Sequence, residues 1–204
     1  MIIGIIGAGA IGATLAKQLV AIGHEVYVSN SRGPETLADV ASATGATPAT
    51  LAEAAERAEL VIEAIPYGRY QVLPPDALAG KIVILAGNYF PARDGEIDFQ
   101  GRSQSEVVAA HLSRSRVVKA FNTIYWQHLR DQPNHNAGLE WRRVVPLAGD
   151  DPEARAQVAK LIEALGFGAL DLGSLAAGGV LMEPGCPIFN EDLTLAAARK
   201  LIER

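Results

Sequence analysis

The chain has 204 residues, 49% of them hydrophobic, and a formal net charge of −5 at pH 7. This length and composition predict one well-filled domain, and an acidic balance without a basic run argues against nucleic acid as a partner. The single cysteine, Cys186, excludes an internal disulfide framework, and no Cys or His cluster indicates a metal site. The apolar N-terminus lacks the basic residues of a signal peptide, and no stretch is long and apolar enough to cross a bilayer. We therefore expect a soluble, cytoplasmic protein without membrane contact.

The first 28 residues contain the clearest local pattern. The apolar run Ile2–Ile6 has the length and residue types of a buried strand, and it leads directly into Gly7–Gly12, which spells G-x-G-x-x-G. Apolar residues at helical spacing follow as far as Gly23, and a second apolar strand covers Val26–Val28. This order of strand, glycine turn, helix and strand is typical of a dinucleotide-binding unit, whereas isolated glycines would indicate only a tight turn.

Each glycine of the motif has a separate expected role. Gly7 makes the tight turn out of the strand, Gly9 lets a pyrophosphate approach the backbone, and Gly12 allows the helix to pack closely on the strand. The pyrophosphate would lie at the helix N-terminus, where unpaired N–H groups and the helix dipole favour negative charge.

The residues after the second strand predict the type of cofactor. An NAD site usually has Asp or Glu here to bind the ribose 2′-OH, but residues 29–32 read SNSR and contain no carboxylate. Arg32 offers planar donors that suit phosphate oxygens, and Asn30 and Ser31 add neutral donors. Gly33-Pro34 begins the next predicted helix, whose first amides would point at the same phosphate. The pattern predicts NADP(H) rather than NAD(H), with a solvated surface arginine as the ordinary alternative.

The rest of the chain alternates between apolar strands and helices. The further predicted strands are 60–65, 81–86, 116–121, 144–148 and 169–172. The further predicted helices are 34–42, 49–58, 103–112, 125–129, 150–165 and 191–203. Thr47-Pro48 is expected to begin the second of these helices, and Pro146 places its strand at a sheet edge.

This alternation predicts an α/β fold of the Rossmann type. We expect a doubly wound, mostly parallel sheet with helices on both faces. Residues 1–204 would form a single NADP-binding domain, with a core over 1–172 and a short C-terminal helical extension over 173–204.

Ligands of such sheets bind beyond the carboxyl ends of the strands, which nominates the residues that follow each strand. Ile65, Pro66 and Tyr67 should lie along the cofactor on its adenosine-ribose side, although Tyr67 would also suit a surface loop. Asn88 follows the next strand, and its amide is expected to face the cofactor.

Asn122 and Ile124 follow the strand that ends at Phe121. They should lie near the nicotinamide, where the Asn122 side chain or the Ile124 backbone would bond the carboxamide. Lys119 is not assigned a catalytic role, because it lies within a strand.

The chemistry is predicted from what the chain lacks. We find no convincing proton donor, and the stretch after Ser174 is too short for the second helical domain that completes the pocket of hydroxyacid or imine dehydrogenases. Direct hydride transfer between nicotinamide and a flavin-like ring needs no general acid in its key step, only two ring faces held in contact. Small residues over 176–179 would offer a flat wall for the second ring. We expect an NADPH:flavin or deazaflavin oxidoreductase with no catalytic side chain. The alternatives are a non-enzymatic NADP(H)-binding sensor, and a small carbonyl or imine reductase completed across a homodimer.

Several motifs together resemble one family. Gly7–Gly12, Asn30–Arg32, Val117–Thr123 (VVKAFNT), Ala148–Asp151 and Leu170–Leu175 are similar to motifs of the deazaflavin-dependent NADP reductase family. The cytoplasmic domains of the STEAP metalloreductases share this pattern. The resemblance covers nearly the whole chain and implies a homodimer that acts on a small-molecule redox acceptor.

The resemblance also implies roles for individual residues. The pyrophosphate would be lined by Ala8, Gly9, Ala10 and Ile11. Ser31 and Arg32 would take the 2′-phosphate, and Asn122 and Ile124 would lie by the nicotinamide. Asn122 stands where archaeal deazaflavin members have a histidine. In this respect the chain resembles the metalloreductases, although we expect no membrane domain in it.

Overall fold

The computed structural model describes residues 1–202, and a single eight-stranded sheet forms its centre. The strands are β1 (Ile2–Ile6), β2 (Glu25–Ser29), β3 (Thr47–Pro48), β4 (Leu60–Glu63), β5 (Ile82–Leu85), β6 (Arg116–Ala120), β7 (Val144–Gly149) and β8 (Gly168–Asp171). Their spatial order is β3-β2-β1-β4-β5-β6-β7-β8. Neighbouring strands are parallel except for β6 and β7, so β7 and β8 run against the other six. The predicted mostly parallel α/β sheet is confirmed.

Helices connect the strands and cover the sheet. They are α1 (Ala10–Ala21), α2 (Ala38–Thr44), α3 (Leu51–Arg57), α4 (Pro91–Asp94), α5 (Gln104–His111), α6 (Trp126–Asp131), α7 (Pro152–Ala164) and α8 (Leu195–Ile202). Short turns of tighter helix cover Pro34–Leu37 and Tyr67–Val72. Within residues 1–202, no helix combines the length and the apolar character needed to cross a membrane.

The core lies on both faces of the sheet because successive strand residues point to opposite sides. Ile62 belongs to the cluster that packs against α1 and α7, whereas its neighbour Val61 belongs to the cluster beneath α3 and α5. Both side chains are fully buried. This double covering explains why the strands read as continuous apolar runs.

Local signals placed several helix starts correctly. Ser103 accepts a hydrogen bond from the Glu106 N–H while the Glu106 carboxylate accepts one from the Ser103 N–H, so a capping box opens α5 at the predicted helix start. Asp151 caps α7 in the same region of the chain as predicted. The last helix begins at Leu195 rather than near Glu191, and its predicted end at 203 lies outside the described residues.

The expected helix start at Thr47-Pro48 is wrong. These two residues pair with Tyr27 and Val28 and form the edge strand β3, where a missing proline N–H is tolerated. The helix begins later, because the Thr50 side chain caps α3 by accepting a hydrogen bond from the Glu53 N–H.

The expected edge position of the strand around Pro146 is also wrong. β7 lies between β6 and β8, and all its residues are buried. Its pairing with β6 stops at Leu147 opposite Ala120, so Pro146 lies one residue beyond the last antiparallel pair. An interior strand accepts this proline because β6 has already ended beside it.

The segment after β8 returns across the sheet and packs on it. Met182 and Ile188 are buried, and a Cβ added at Gly168 would lie 2.9 Å from the Leu195 Cβ. The predicted division of the chain at residue 172 stays a prediction.

Candidate cofactor site

A cavity of about 670 Å³ runs along the carboxyl ends of β1, β2 and β4. The glycine turn at Gly7–Gly9 forms one wall, and Asn30–Arg32 forms the wall beyond β2. Ile65 and Pro66 close the side next to β4. The structure therefore brings three of the predicted segments together around one cavity.

The three motif glycines have different surroundings. Gly7 adopts φ +117°, and a Cβ there would lie 2.3 Å from the Ala64 carbonyl oxygen. A Cβ on Gly12 would lie 1.9 Å from the Gly7 carbonyl oxygen, so the helix approaches the turn as closely as backbone atoms allow. Gly9 alone has open space, with no atom within 4 Å of an added Cβ. That open space suits a group that approaches the backbone.

The N-terminus of α1 suits an anion. Gly9 is the N-cap residue, so no side chain caps the helix, and the first turn contains no acidic residue. Ala10 is exposed and Ile11 is half-buried at this end of the helix, while Gly12 is buried under the turn. The uncapped N–H groups and the helix dipole favour negative charge beside Gly9.

Asn30 shapes the loop that carries Arg32. Its side-chain oxygen accepts hydrogen bonds from the Arg32 N–H at 2.9 Å and the Gly33 N–H at 3.0 Å. Its amide nitrogen donates to the Thr36 hydroxyl at 2.9 Å. Asn30 therefore organises the turn and lines the cavity, and its amide keeps a second N–H, so its bond to a phosphate stays a prediction. Ser31 and Arg32 remain exposed on the cavity wall.

Two polar residues of the cavity were missed from the sequence. Thr36 lines it from the turn after Gly33, and Arg69 lines it from the turn after β4. Arg69 is exposed, and neither it nor Arg32 forms an ion pair within residues 1–202. Arg69 lies six residues beyond the end of β4, within the turn Tyr67–Val72, so the strand-end rule, which nominated residues 65–67, stopped short of it.

Tyr67 lies in the core rather than along this cavity. It is 4% exposed, its hydroxyl donates to the Gln104 carbonyl at 2.8 Å, and burial raises the pKa of the phenol. Its ring packs among Tyr70, Tyr89 and Phe99, with centroids 5.6 to 6.0 Å apart. The peptide after Pro66 turns the ring away from the ligand side, so the expected contact with the cofactor is corrected.

Asn88 and Asn122 bind each other instead of lining the cavity. The Asn88 amide donates to the Asn122 backbone carbonyl at 2.7 Å, and the Asn122 amide donates to the Asn88 side-chain oxygen at 2.9 Å. The Asn122 amide also donates to the Met182 carbonyl at 2.7 Å, while its own oxygen is buried and has no hydrogen-bond partner among residues 1–202. Ile124 is 4% exposed. The two side chains thus hold each other in place, and the expected contacts of Asn88, Asn122 and Ile124 with the cofactor stay predictions.

The sequence and the fold both match known proteins. Residues 2–89 match the family model described as NADP oxidoreductase coenzyme F420-dependent. A crystal structure of the hypothetical protein SMa0349 from Sinorhizobium meliloti is 36% identical, with 95% of both chains covered and a TM-score of 0.83. The chain belongs to this NADP oxidoreductase family. The resemblance noted from the motifs is thereby confirmed.

Two further members carry informative descriptions. A structure from Arthrobacter sp. FB24, described as an F420-dependent NADP-reductase, is 28% identical over 88% of both chains, with a TM-score of 0.73. Metalloreductase STEAP3 of Rattus norvegicus is 33% identical over 177 residues, which is 86% of this chain but 34% of that protein. The descriptions of these two relatives thus differ, one being an F420-dependent NADP-reductase and the other a metalloreductase.

More distant structures share only the fold. An imine reductase from Pseudomonas sp. is 20% identical, with a TM-score of 0.65, and this chain covers 58% of it. The assignment of individual cavity residues to NADP(H) stays a prediction.

Proposed function

We propose that the chain binds NADP(H) in the cavity between the glycine turn and Arg32, and transfers hydride between it and a flavin-like or deazaflavin acceptor. The proposal rests on the residues that line the cavity. One end has the open backbone at Gly9, and the other has two arginines, Arg32 and Arg69. Among the described residues, its lining contains no carboxylate.

The lining fits the two charged groups and the base of NADP(H). The uncapped start of α1 suits the diphosphate. Ser31 and Arg32 suit the 2′-phosphate, and Arg69 adds positive charge on the facing wall. Leu37 and Val40 supply apolar surface for the adenine. An NAD-specific site would need an acidic residue where this chain has Ser31 and Arg32.

The protein's part in the reaction is positioning. When bound, the nicotinamide ring supplies the hydride, and the two rings must lie face to face with water excluded. Gly9 admits the diphosphate, the Asn30 turn holds Arg32 in place, and Ile65 and Pro66 form the wall between them. No side chain of this site is required to exchange a proton in that step.

The proposed acceptor class follows from the family and from exposed aromatic side chains. Tyr125 and Trp126, directly after Ile124, are 53% and 37% exposed. Exposed aromatic faces of this kind suit a planar ring system. The family description, which names coenzyme F420, supports such an acceptor for this chain.

A sensor without turnover is the second candidate, and one contact favours it. The segment after β8 closes over the end of β6, where Met182 accepts a hydrogen bond from Asn122 and Asn190 donates to the Thr123 carbonyl at 3.1 Å. This cover occupies a region that an acceptor ring would use. A sensor would bind NADPH tightly, and none of the tested acceptors would lead to its oxidation.

The test combines binding with turnover. Calorimetry should show NADPH binding to the purified protein, and NADPH absorbance should then fall on addition of a flavin, a deazaflavin or a ferric chelate. Binding without oxidation by any of the three supports the sensor, and absence of binding overturns both candidates. Matched reactions with NADH should be much slower. A homodimer and a cytoplasmic location are further parts of the proposal, and light scattering of the same sample tests the first.

A further inference from the structure

Two buried charged residues lie in one row across the sheet, beside the cavity. Glu63, Leu85 and Lys119 are register partners on β4, β5 and β6, so their side chains point to the same face. Glu63 is 4% exposed and Lys119 is 1% exposed. Charged residues this deeply buried are rare unless they are paired. Neither has a part in the hydride transfer proposed above.

The Glu63 carboxylate joins the turns after two neighbouring strands. It accepts hydrogen bonds from the Ile65 N–H at 3.0 Å and from the Gly87 N–H at 3.2 Å. A Cβ on Gly87 would lie 2.9 Å from a Glu63 oxygen and 3.0 Å from the Ile65 carbonyl oxygen. The two turns are therefore held against each other through one side chain.

The turn that Glu63 holds also supports the glycine turn. A Cβ on Gly7 would lie 2.3 Å from the Ala64 oxygen and 3.1 Å from the Ile65 side chain. Ile65 itself lines the cavity. A continuous set of contacts thus runs from Glu63 through Ile65 to Gly7.

Lys119 supplies the charge that opposes the carboxylate. Burial raises the pKa of Glu63 to about 7, although the two N–H bonds, Lys119 and Arg93 act against the rise. Burial lowers the pKa of Lys119 to about 8, opposed by Glu183, Glu63 and Cys186. A cavity of about 10 Å³ between Glu63 and Lys119 has about the volume for one water molecule.

We propose that Glu63 is a positioning residue for NADP(H) binding, whose carboxylate, balanced by Lys119, fixes the Ile65 and Gly87 turns against the glycine turn. This inference rests on the proposed function, because it concerns the same cavity. Glu63 acts through Ile65 and touches no ligand.

The wild-type protein offers the first test. Amide signals of Ile65 and Gly87 should be followed by NMR across neutral pH. Both should shift with one common midpoint near 7, because one carboxylate accepts both bonds and a proton on it weakens them. Lys119→Met should move that midpoint upward, since a cation no longer favours the ionised form. Separate midpoints for the two amides overturn the proposal whether or not any variant folds.

The second test measures NADPH affinity in Glu63→Gln. Glutamine keeps the shape but offers one acceptor, and its NH₂ group meets an N–H donor. The Kd for NADPH should rise about tenfold, and kcat at saturating NADPH should change little. The part of the pH dependence of Kd that is centred near 7 should vanish, whereas titration of the 2′-phosphate is common to both proteins. Leu85→Met, in the middle of the same row, is the matched control and should leave Kd unchanged.

NADPH binding by the wild type and its loss in Glu63→Gln can be told apart. If the wild type does not bind NADPH, the proposed function falls. If the wild type binds and Glu63→Gln shows the same Kd and the same pH profile, only the positioning role of Glu63 falls.

Discussion

The carboxyl ends of the strands form a crevice, with the cavity at one end of it and the turn at Asn122 at the other. These two ends are built in different ways. Around Gly9 and Arg32 the walls are open, with an uncapped helix and arginines that form no ion pair within residues 1–202. Around Asn122 the polar groups already bind each other, and the Met182 carbonyl covers the turn. The first end is ready for a ligand, whereas the second is held shut by the chain itself.

The two ends also differ in how far apart their residues lie in the sequence. Every wall of the open end comes from residues 2–89, the stretch that matches the family model. The closed end depends on a contact between Asn122 and Met182, which are 60 positions apart in the sequence. We infer that cofactor affinity is set mainly at the first end, and access of an acceptor at the second.

We expect the largest effect from a substitution that displaces the backbone at the open end. Gly12→Ala places a Cβ 1.9 Å from the Gly7 carbonyl oxygen, so α1 must move away from β1. The free energy of unfolding should fall by about 3 kcal/mol, measured by urea denaturation. NADPH binding should be lost with it.

Gly9→Ala is the matched control for that variant. Its Cβ meets no atom within 4 Å, so the fold should lose about 1 kcal/mol or less. NADPH affinity should still fall, because the methyl group occupies the approach to the backbone. Equal stability losses in the two variants would contradict the assigned roles of the glycines.

The next largest effect tests whether the open end binds the 2′-phosphate of NADPH. Arg32→Ala should raise the Kd for NADPH roughly 30-fold, as expected for loss of charged hydrogen bonds, and leave the Kd for NADH nearly unchanged. Calorimetry with both nucleotides measures the difference. Arg102→Ala removes an exposed arginine that binds Gln100 and should change neither value. Equal losses for NADPH and NADH would refute the NADP preference.

The smallest effect tests the closed end. Asn122→Ala removes the bonds to Asn88 and Met182, and should lower the free energy of unfolding by about 1.5 kcal/mol. The NADPH Kd should change less than in Arg32→Ala, since Asn122 lies outside the cavity. The exposed Asn136 provides a matched Asn-to-Ala control. A loss of NADPH affinity as large as that of Arg32→Ala would mean that Asn122 contacts the cofactor.

Short-range signals made much of the fold predictable. The glycine motif and the helix starts near Ser103 and Asp151 each depend on residues a few positions apart, and each was placed to within two residues. Thr47-Pro48 and Pro146 were misread because a partner strand decides their state. A proline's own preference carries no information about where the neighbouring strand ends.

The site was harder to predict because strand ends show position but not direction. Ile65 and Tyr67 follow the same strand, yet one lines the cavity and the other is buried among aromatic rings. The orientation of Asn122 is fixed by Met182, which no local pattern connects to it. Arg69 was missed because an exposed arginine has no sequence signal until its turn is placed over the cavity.

The hydrogen bond between Asn122 and Met182 has a consequence for synthesis on the ribosome. All the residues that line the cavity have been added to the chain once Val72 is in place. Asn122 is added later, and its bond to Met182 can form only after a further 60 residues. During synthesis, the residues of the open end are therefore all present before the residue that closes the opposite end.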